Sequence, residues 1–110
     1  MATTYKVLGQ SAPTTTAEAT LYTVPSATQA IISSITISNL TASNANATVS
    51  ICVAGAATSN ANSIIKTISI DGNSVIAFTL GITLGAADVV RVTSGTANAL
   101  SFQAFGSEIS

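Results

Sequence analysis

Apolar and polar residues alternate with a period of two along most of this chain, and the period near 3.6 that marks an amphipathic helix is nearly absent. Successive side chains of a strand point to opposite faces, so such alternation predicts strands with one face turned to a core. Thr4 to Leu8 and Leu21-Tyr22-Thr23-Val24 are the first two predicted strands, joined by a connector at Pro13 and the Thr14-Thr15-Thr16 run. The longest strand is predicted from Gln29 to Asn39. There Ile31, Ile35 and Ile37 are expected to share the core face, with Ile32, Ser34, Thr36 and Ser38 opposite. A stretch of small polar residues, Thr41 to Asn46, turns the chain into a strand with Val49, Ile51 and Val53 on one face, closed by Gly55 to Asn60. Ile64, Ile68 and Ile70 then alternate with Ile65, Thr67 and Ser69, and Asp71-Gly72 leads to Ile76, Phe78 and Leu80. Asp-Gly between two alternating runs signals a tight hairpin. Val90 and Val92, then Leu100, Phe102 and Ala104, mark the last two strands.

About eight strands, divided by turn signals roughly 8–12 residues apart, predict an all-β fold, an antiparallel two-sheet β-sandwich. Jelly-roll and immunoglobulin-like connectivity both accommodate the pattern. Its expected core contains Ile35, Ile37, Val49, Ile51, Ile68, Phe78, Val90, Val92 and Phe102. A single domain over residues 1–110 is expected, with residues 1–16, rich in small side chains, as an extended N-terminal segment able to lie across a neighbour.

Composition changes the picture in one respect. The 110 residues are 47% hydrophobic yet include only three basic residues, four acidic ones and no histidine. Lys6, Lys66, Arg91, Glu18, Asp71, Asp88 and Glu108 are scattered singly, whereas acid–base, nucleophilic and metal chemistry draws on clusters of such groups. No enzyme activity, cofactor or metal is therefore expected. A net charge of −1 with a pI near 4.8 provides no basic stripe for phosphates, so no nucleic-acid partner is expected. Mean hydropathy is +0.58, but Ser, Thr and Asn interrupt every apolar stretch well before the roughly 20 residues of a membrane-spanning helix. Met1-Ala2-Thr3-Thr4-Tyr5-Lys6 lacks the charged and apolar regions of a secretory signal, which points to synthesis in a cytoplasm. A surface solvated by hydroxyls and amides is weakly defended against edge-to-edge association and suits a protein held in an assembly.

The remaining constellations read as structure. Cys52 is expected to point away from Ile51 and Val53 and to pack as a small hydrophobe. Two N-x-S/T sequons, at Asn39 and Asn46, lie where turn residues are needed. Asp71 and Asp88 stand outside any run of alternating oxygen donors and read as turn formers rather than calcium ligands. Gly81, Gly85 and Gly95 fit no phosphate-binding loop. Ile65, Val75, Val89 and Phe105 fall off the core parity of their strands, and these apolar side chains without an obvious partner are the candidate intersubunit contacts.

Four stretches resemble a family of small virion structural proteins of tailed bacteriophages, especially cyanophages. They are Thr3-Thr4-Tyr5-Lys6-Val7-Leu8-Gly9-Gln10, Leu21-Tyr22-Thr23-Val24-Pro25, Gly81-Ile82-Thr83-Leu84 running to Asp88-Val89-Val90-Arg91-Val92, and Phe105-Gly106-Ser107-Glu108-Ile109. The resemblance implies a compact β-sandwich on the virion, made in the host cytoplasm and acting as a capsid decoration (cement) protein. Its implied partners are itself, as a homotrimer, and the major capsid protein or another virion protein. A tail, neck or fibre-associated component is the alternative within the same particle, and a carbohydrate-binding β-sandwich using Tyr5, Tyr22 and the three phenylalanines is the alternative outside it.

Overall fold

In the computed structural model, which describes residues 2–110, the chain is a two-sheet antiparallel sandwich. Its strands are β1 (Thr3–Ser11), β2 (Ala19–Thr23), β3 (Gln29–Asn39), β4 (Ala45–Cys52), β5 (Ser63–Ile70), β6 (Val75–Phe78), β7 (Ile82–Leu84), β8 (Val89–Ser94) and β9 (Leu100–Ile109). One sheet has the order β1-β9-β3-β6, with β7 continuing the β6 edge along β3, and the other has the order β2-β8-β4-β5. The chain passes from sheet to sheet at nearly every connection, so each sheet interleaves its early and late strands. That order is the jelly roll, which decides between the two connectivities. No helix among the described residues is long and apolar enough to cross a membrane.

Every strand expected from the alternation is present, and the facing halves of the two sheets supply the core. Ile35, Ile37, Leu100, Phe102 and Ala104 from the first sheet meet Ala47, Val49, Ile70, Val90 and Val92 from the second, all inaccessible or nearly so. Ile51, Ile68 and Phe78 pack partly buried at its margin.

Two expectations about facing are corrected because a β-bulge resets the period, and two further residues expected on strand faces lie beyond the ends of their strands. In β3, Ile32 pairs with Gly106 and Ser34 with Phe105, leaving Ser33 as the extra residue. An extra residue reverses the parity beyond it. Ala30 and Ile32 are therefore buried together with Ile35 and Ile37, while Ile31, expected in the core, is 38% exposed on the outer face. In β5, Ala47 pairs with Ile68 and Val49 with Ile65, so Lys66 and Thr67 together oppose Thr48. Thr67 takes a left-handed conformation there (φ 55°), its amide donating to Thr48 Oγ1 at 3.1 Å. That bulge turns Ile65 into the core and Ile64 out of it. Val53 lies beyond the end of β4, in a 3-10 turn (Val53–Gly55), and Leu80 beyond the end of β6, where Gly81 (φ 62°) breaks the edge; both side chains are exposed.

The Asp71-Gly72 turn is also not a hairpin. β5 and β6 lie in different sheets, and the turn is an arch between them, with Asn73 rather than Gly72 at positive φ. It is laced to the other arch, residues 40–44: the Asn73 amide donates to Thr41 O at 2.7 Å and the Gly72 amide to Asn44 Oδ1 at 3.3 Å. Asn39, at the base of both, is buried and uses its whole amide. Its Nδ2 donates to Ser43 O (2.8 Å) and Ile70 O (3.0 Å), and its Oδ1 accepts from the Thr41 amide (2.9 Å) and hydroxyl (2.8 Å). The N-terminal segment is extended as expected, but through Ser11 it is a strand of the chain's own sheet, paired with β9.

The β3 bulge yields a direct comparison. Ile32→Val is expected to lower stability by about 0.5–1.5 kcal/mol, the usual cost of one buried methylene. Ile31→Val should leave the urea midpoint of the parent nearly unchanged. A larger loss from Ile31 than from Ile32 would contradict the assigned faces.

Candidate interaction surface

Directly opposed residues of neighbouring strands share a face, so the register draws the outer surface of the first sheet row by row. One row is Tyr5, Ser107, Ile31 and Thr83; the next is Val7, Phe105 and Ser34; on the other side lie Thr3, Ile109 and Gln29. Tyr5 is 83% exposed, Val7 and Ile31 are exposed to lesser degrees, and Phe105 and Ile109 are half-buried. No ionisable side chain other than the Tyr5 phenol stands in these rows. Beyond the bulges the same face turns polar, with Gln10, Gln103, Ser101, Thr36 and Ser38 across β1, β9 and β3. The outer face is thus divided into an apolar half and a polar half.

Among the four off-parity candidates, the structure separates two from the rest. Val75 is 60% exposed and lies on this outer face, at its far end opposite Ser38. Phe105 is half-buried within the apolar half. Ile65 belongs to the chain's own core through the β5 bulge, and Val89 is covered on the outer face of the second sheet. Neither of these two has surface to offer a partner in this conformation.

The segment 53–62 is tied back to the outer face of the second sheet by the residues on either side of Val89. Arg91, pointing outward between Val90 and Val92, donates to Ala56 O at 2.6 Å and Gly55 O at 3.3 Å. Asp88 accepts from the Ala54 amide at 2.9 Å and the Gly85 amide at 2.8 Å. Glu18 accepts from the Thr58 hydroxyl and stands 3.9 Å from Arg91 Nε. Cys52 is fully buried beneath the segment, its Sγ 3.7 Å from Thr58 Oγ1. Three of the charged residues therefore act as fasteners.

A further polar link spans the sandwich near the apolar patch. Tyr22, on the inner face of β2, donates its hydroxyl to Glu108 Oε2 at 2.5 Å, and Lys6 Nζ lies 3.0 Å from Glu108 Oε1. The hydrogen bond from Tyr22, and then that from Lys6, holds the Glu108 carboxyl below its usual value of 4.5. Burial first, and then the bond to the carboxylate and its charge, pushes the Tyr22 phenol up from its usual 10. The signs give two windows. Glu108 contributes stability above pH 4.5 that is lost as pH falls through its lowered folded value, because the unfolded chain takes up the proton first. Tyr22 contributes stability that is present below pH 10 and lost as pH rises toward its raised folded value. In Glu108→Gln the acid-side loss between pH 5 and pH 3 should shrink relative to the parent in urea titrations. Equal slopes in the two proteins would exclude this link.

Among the described residues no group of three or more His, Cys, Asp or Glu is placed to hold a metal ion. An open depression of about 380 Å³ adjoins the patch, between Ala27–Gln29, Gly85–Ala86 and Ile109–Ser110. None of those side chains is ionisable. Tyr22, one of the aromatics considered for a sugar platform, is buried, as is Phe102; Tyr5 alone is widely exposed. Sequence reasoning missed Ile31 and Val7 as surface residues. The Ser33-Ser34 pair inside a β-branched run, and Gly9 and Gly106 inside strands, were the available signals. No family model matches the sequence, and no curated protein matches it significantly.

Proposed function

We propose that this chain is a structural protein of a bacteriophage virion, a capsid decoration (cement) protein that stabilises the head by non-covalent contacts. In this reading it is not an enzyme, and its partners are other copies of itself, as a trimer, and the major capsid protein. The observation that carries the reading is the outer face of the first sheet, where Tyr5, Val7, Ile31, Phe105 and Ile109 form an uncharged apolar surface on a jelly roll. Contacts of this kind work by buried area and shape, and a modest interface repeated over many sites sums to a large stabilisation of a shell. The four stretches resembling phage virion proteins support the same reading, and two of them, Thr3 to Gln10 and Phe105 to Ile109, include most of this patch.

The test is an image reconstruction of the intact particle with the jelly roll fitted to its density. Copies distributed over the head are expected. Copies confined to the tail or neck would replace the cement reading with the tail-component one, and absence from the particle would remove both.

A further inference from the structure

The edge of the first sheet at β1 offers a hydrogen-bonding array whose phase can be read from one pair. Ala2 and Ser110 exchange both main-chain bonds, at 2.8 and 2.9 Å. In an antiparallel ladder such pairs alternate with pairs that exchange none. The register continues without a break from Thr3–Ile109 to Val7–Phe105. Thr4 and Lys6 therefore bond to β9, whereas the N–H and C=O of Thr3, Tyr5 and Val7 point away from it toward open space. Beyond Val7 the array stops: β1 bulges at Leu8, and Gly9 comes so close to β2 that an added Cβ would stand 2.0 Å from Leu21 O.

The other edges are more broken. β5 is interrupted twice along its ladder, β2 is bulged at Leu21, and the β6–β7 edge is split at Gly81. Sheet edges are commonly guarded by lysines that repel an incoming strand. Lys6 is the only charge on β1, and its ammonium is engaged by Glu108.

We propose that Thr3–Val7 pairs antiparallel with the same segment of a second copy of this chain, about a two-fold axis through Tyr5. With that centre, Tyr5 faces Tyr5 of the second copy and Thr3 faces its Val7. Both rows of free groups meet, and the three residues of each copy exchange all their outward N–H and C=O groups. Lys6 falls opposite Thr4, so the lysines do not oppose one another. A centre on Thr4 keeps the same phase but pairs only Thr3 with Tyr5 inside the segment, and a centre on Lys6 pairs only Tyr5 with Val7 and also juxtaposes the two ammonium groups, so each uses two of the three outward residues where the Tyr5 centre uses all three. The two apolar half-faces become one continuous surface across the join. This pairing is isologous and does not depend on the virion reading. If the trimer of that reading forms as well, the β1 edge is left to link one trimer to the next.

The experiment is hydrogen exchange by NMR on the parent protein at low and high concentration, together with sedimentation equilibrium. The amides of Thr4 and Lys6 should be protected at every concentration, whereas those of Thr3, Tyr5 and Val7 should slow by at least about tenfold as the dimer forms. Tyr5→Pro removes an N–H that β9 does not use, so it should weaken association by at least about tenfold with an unchanged circular dichroism spectrum. Tyr5→Ala keeps the main-chain bonds and should weaken it less. Exchange at Thr3, Tyr5 and Val7 that is independent of concentration overturns the proposal, as does an oligomer in which those three amides remain unprotected. The exchange measurement decides the matter even if the proline variant does not fold, and the particle reconstruction tests the virion reading separately.

Discussion

Asn39→Asp should be among the most damaging single substitutions in the chain, lowering stability by roughly 3–5 kcal/mol at neutral pH. The new carboxylate oxygen would stand where Nδ2 now donates to the carbonyls of Ser43 and Ile70, turning two hydrogen bonds into two contacts between acceptors in a buried site. Asn39→Ala should cost less, about 1–3 kcal/mol, because it leaves carbonyls unpaired without adding a charge. The aspartate variant should partly recover on acidification. Its folded-state carboxyl is driven to hold a proton, so the penalty grows as pH rises through the ordinary Asp value near 3.9. Urea unfolding at pH 7 and pH 4 reads both effects. A midpoint equal to the parent's at pH 7 would show that the two arches do not depend on this amide. The same geometry removes the Asn39 sequon as an acceptor in the folded protein, since its nitrogen is buried and fully engaged.

Gly106→Ala should be comparably severe, exceeding the roughly 1–3 kcal/mol of ordinary overpacking. Its Cβ would lie 1.9 Å from Ile31 O, 2.9 Å from Ile31 C and 3.0 Å from Ile32 Cα. All three atoms are backbone at the β3 bulge, so relief requires the ladder itself to shift rather than a side chain to rotate. Gly85→Ala is the control, because its Cβ would meet only Asp88 Oδ2, at 3.8 Å. Thermal unfolding should separate the two variants widely, and similar melting temperatures would mean that the close approach at Gly106 is easily relaxed.

The strands of this fold were legible because a half-buried strand writes its period into its own residues. Its faces were legible only as far as the first bulge. The Ser33-Ser34 pair beside Ile31 and Ile32 signals a slip of the period without telling which of the two is inside; the choice is made at Ser33, by how β3 meets Gly106 on a strand some seventy positions away. Thr67 does the same for Ile64 and Ile65. Asp71-Gly72 announced a turn correctly and its geometry wrongly, because an arch between sheets and a hairpin within one both need compact residues. In the candidate surface, Phe105 and the N-terminal segment were visible from parity and composition. Val89 faces away from the core as parity indicated but is buried there, beside residues 53–62 held by Arg91, Asp88 and Glu18, an arrangement that alternation cannot encode.

The position of β9 between β1 and β3 has a consequence for the order of events during synthesis. Thr3–Ser11 emerges from the ribosome almost a whole chain before the strand it pairs with, and until Leu100–Ile109 follows, β1 has no neighbour in its sheet and β3 lacks one side. Loop closure of that length is slow, and the waiting chain exposes the apolar residues it will later bury. The sandwich is therefore completed only once Leu100–Ile109 has emerged, and nascent chains stalled short of β9 should be the species that chaperones and proteases meet.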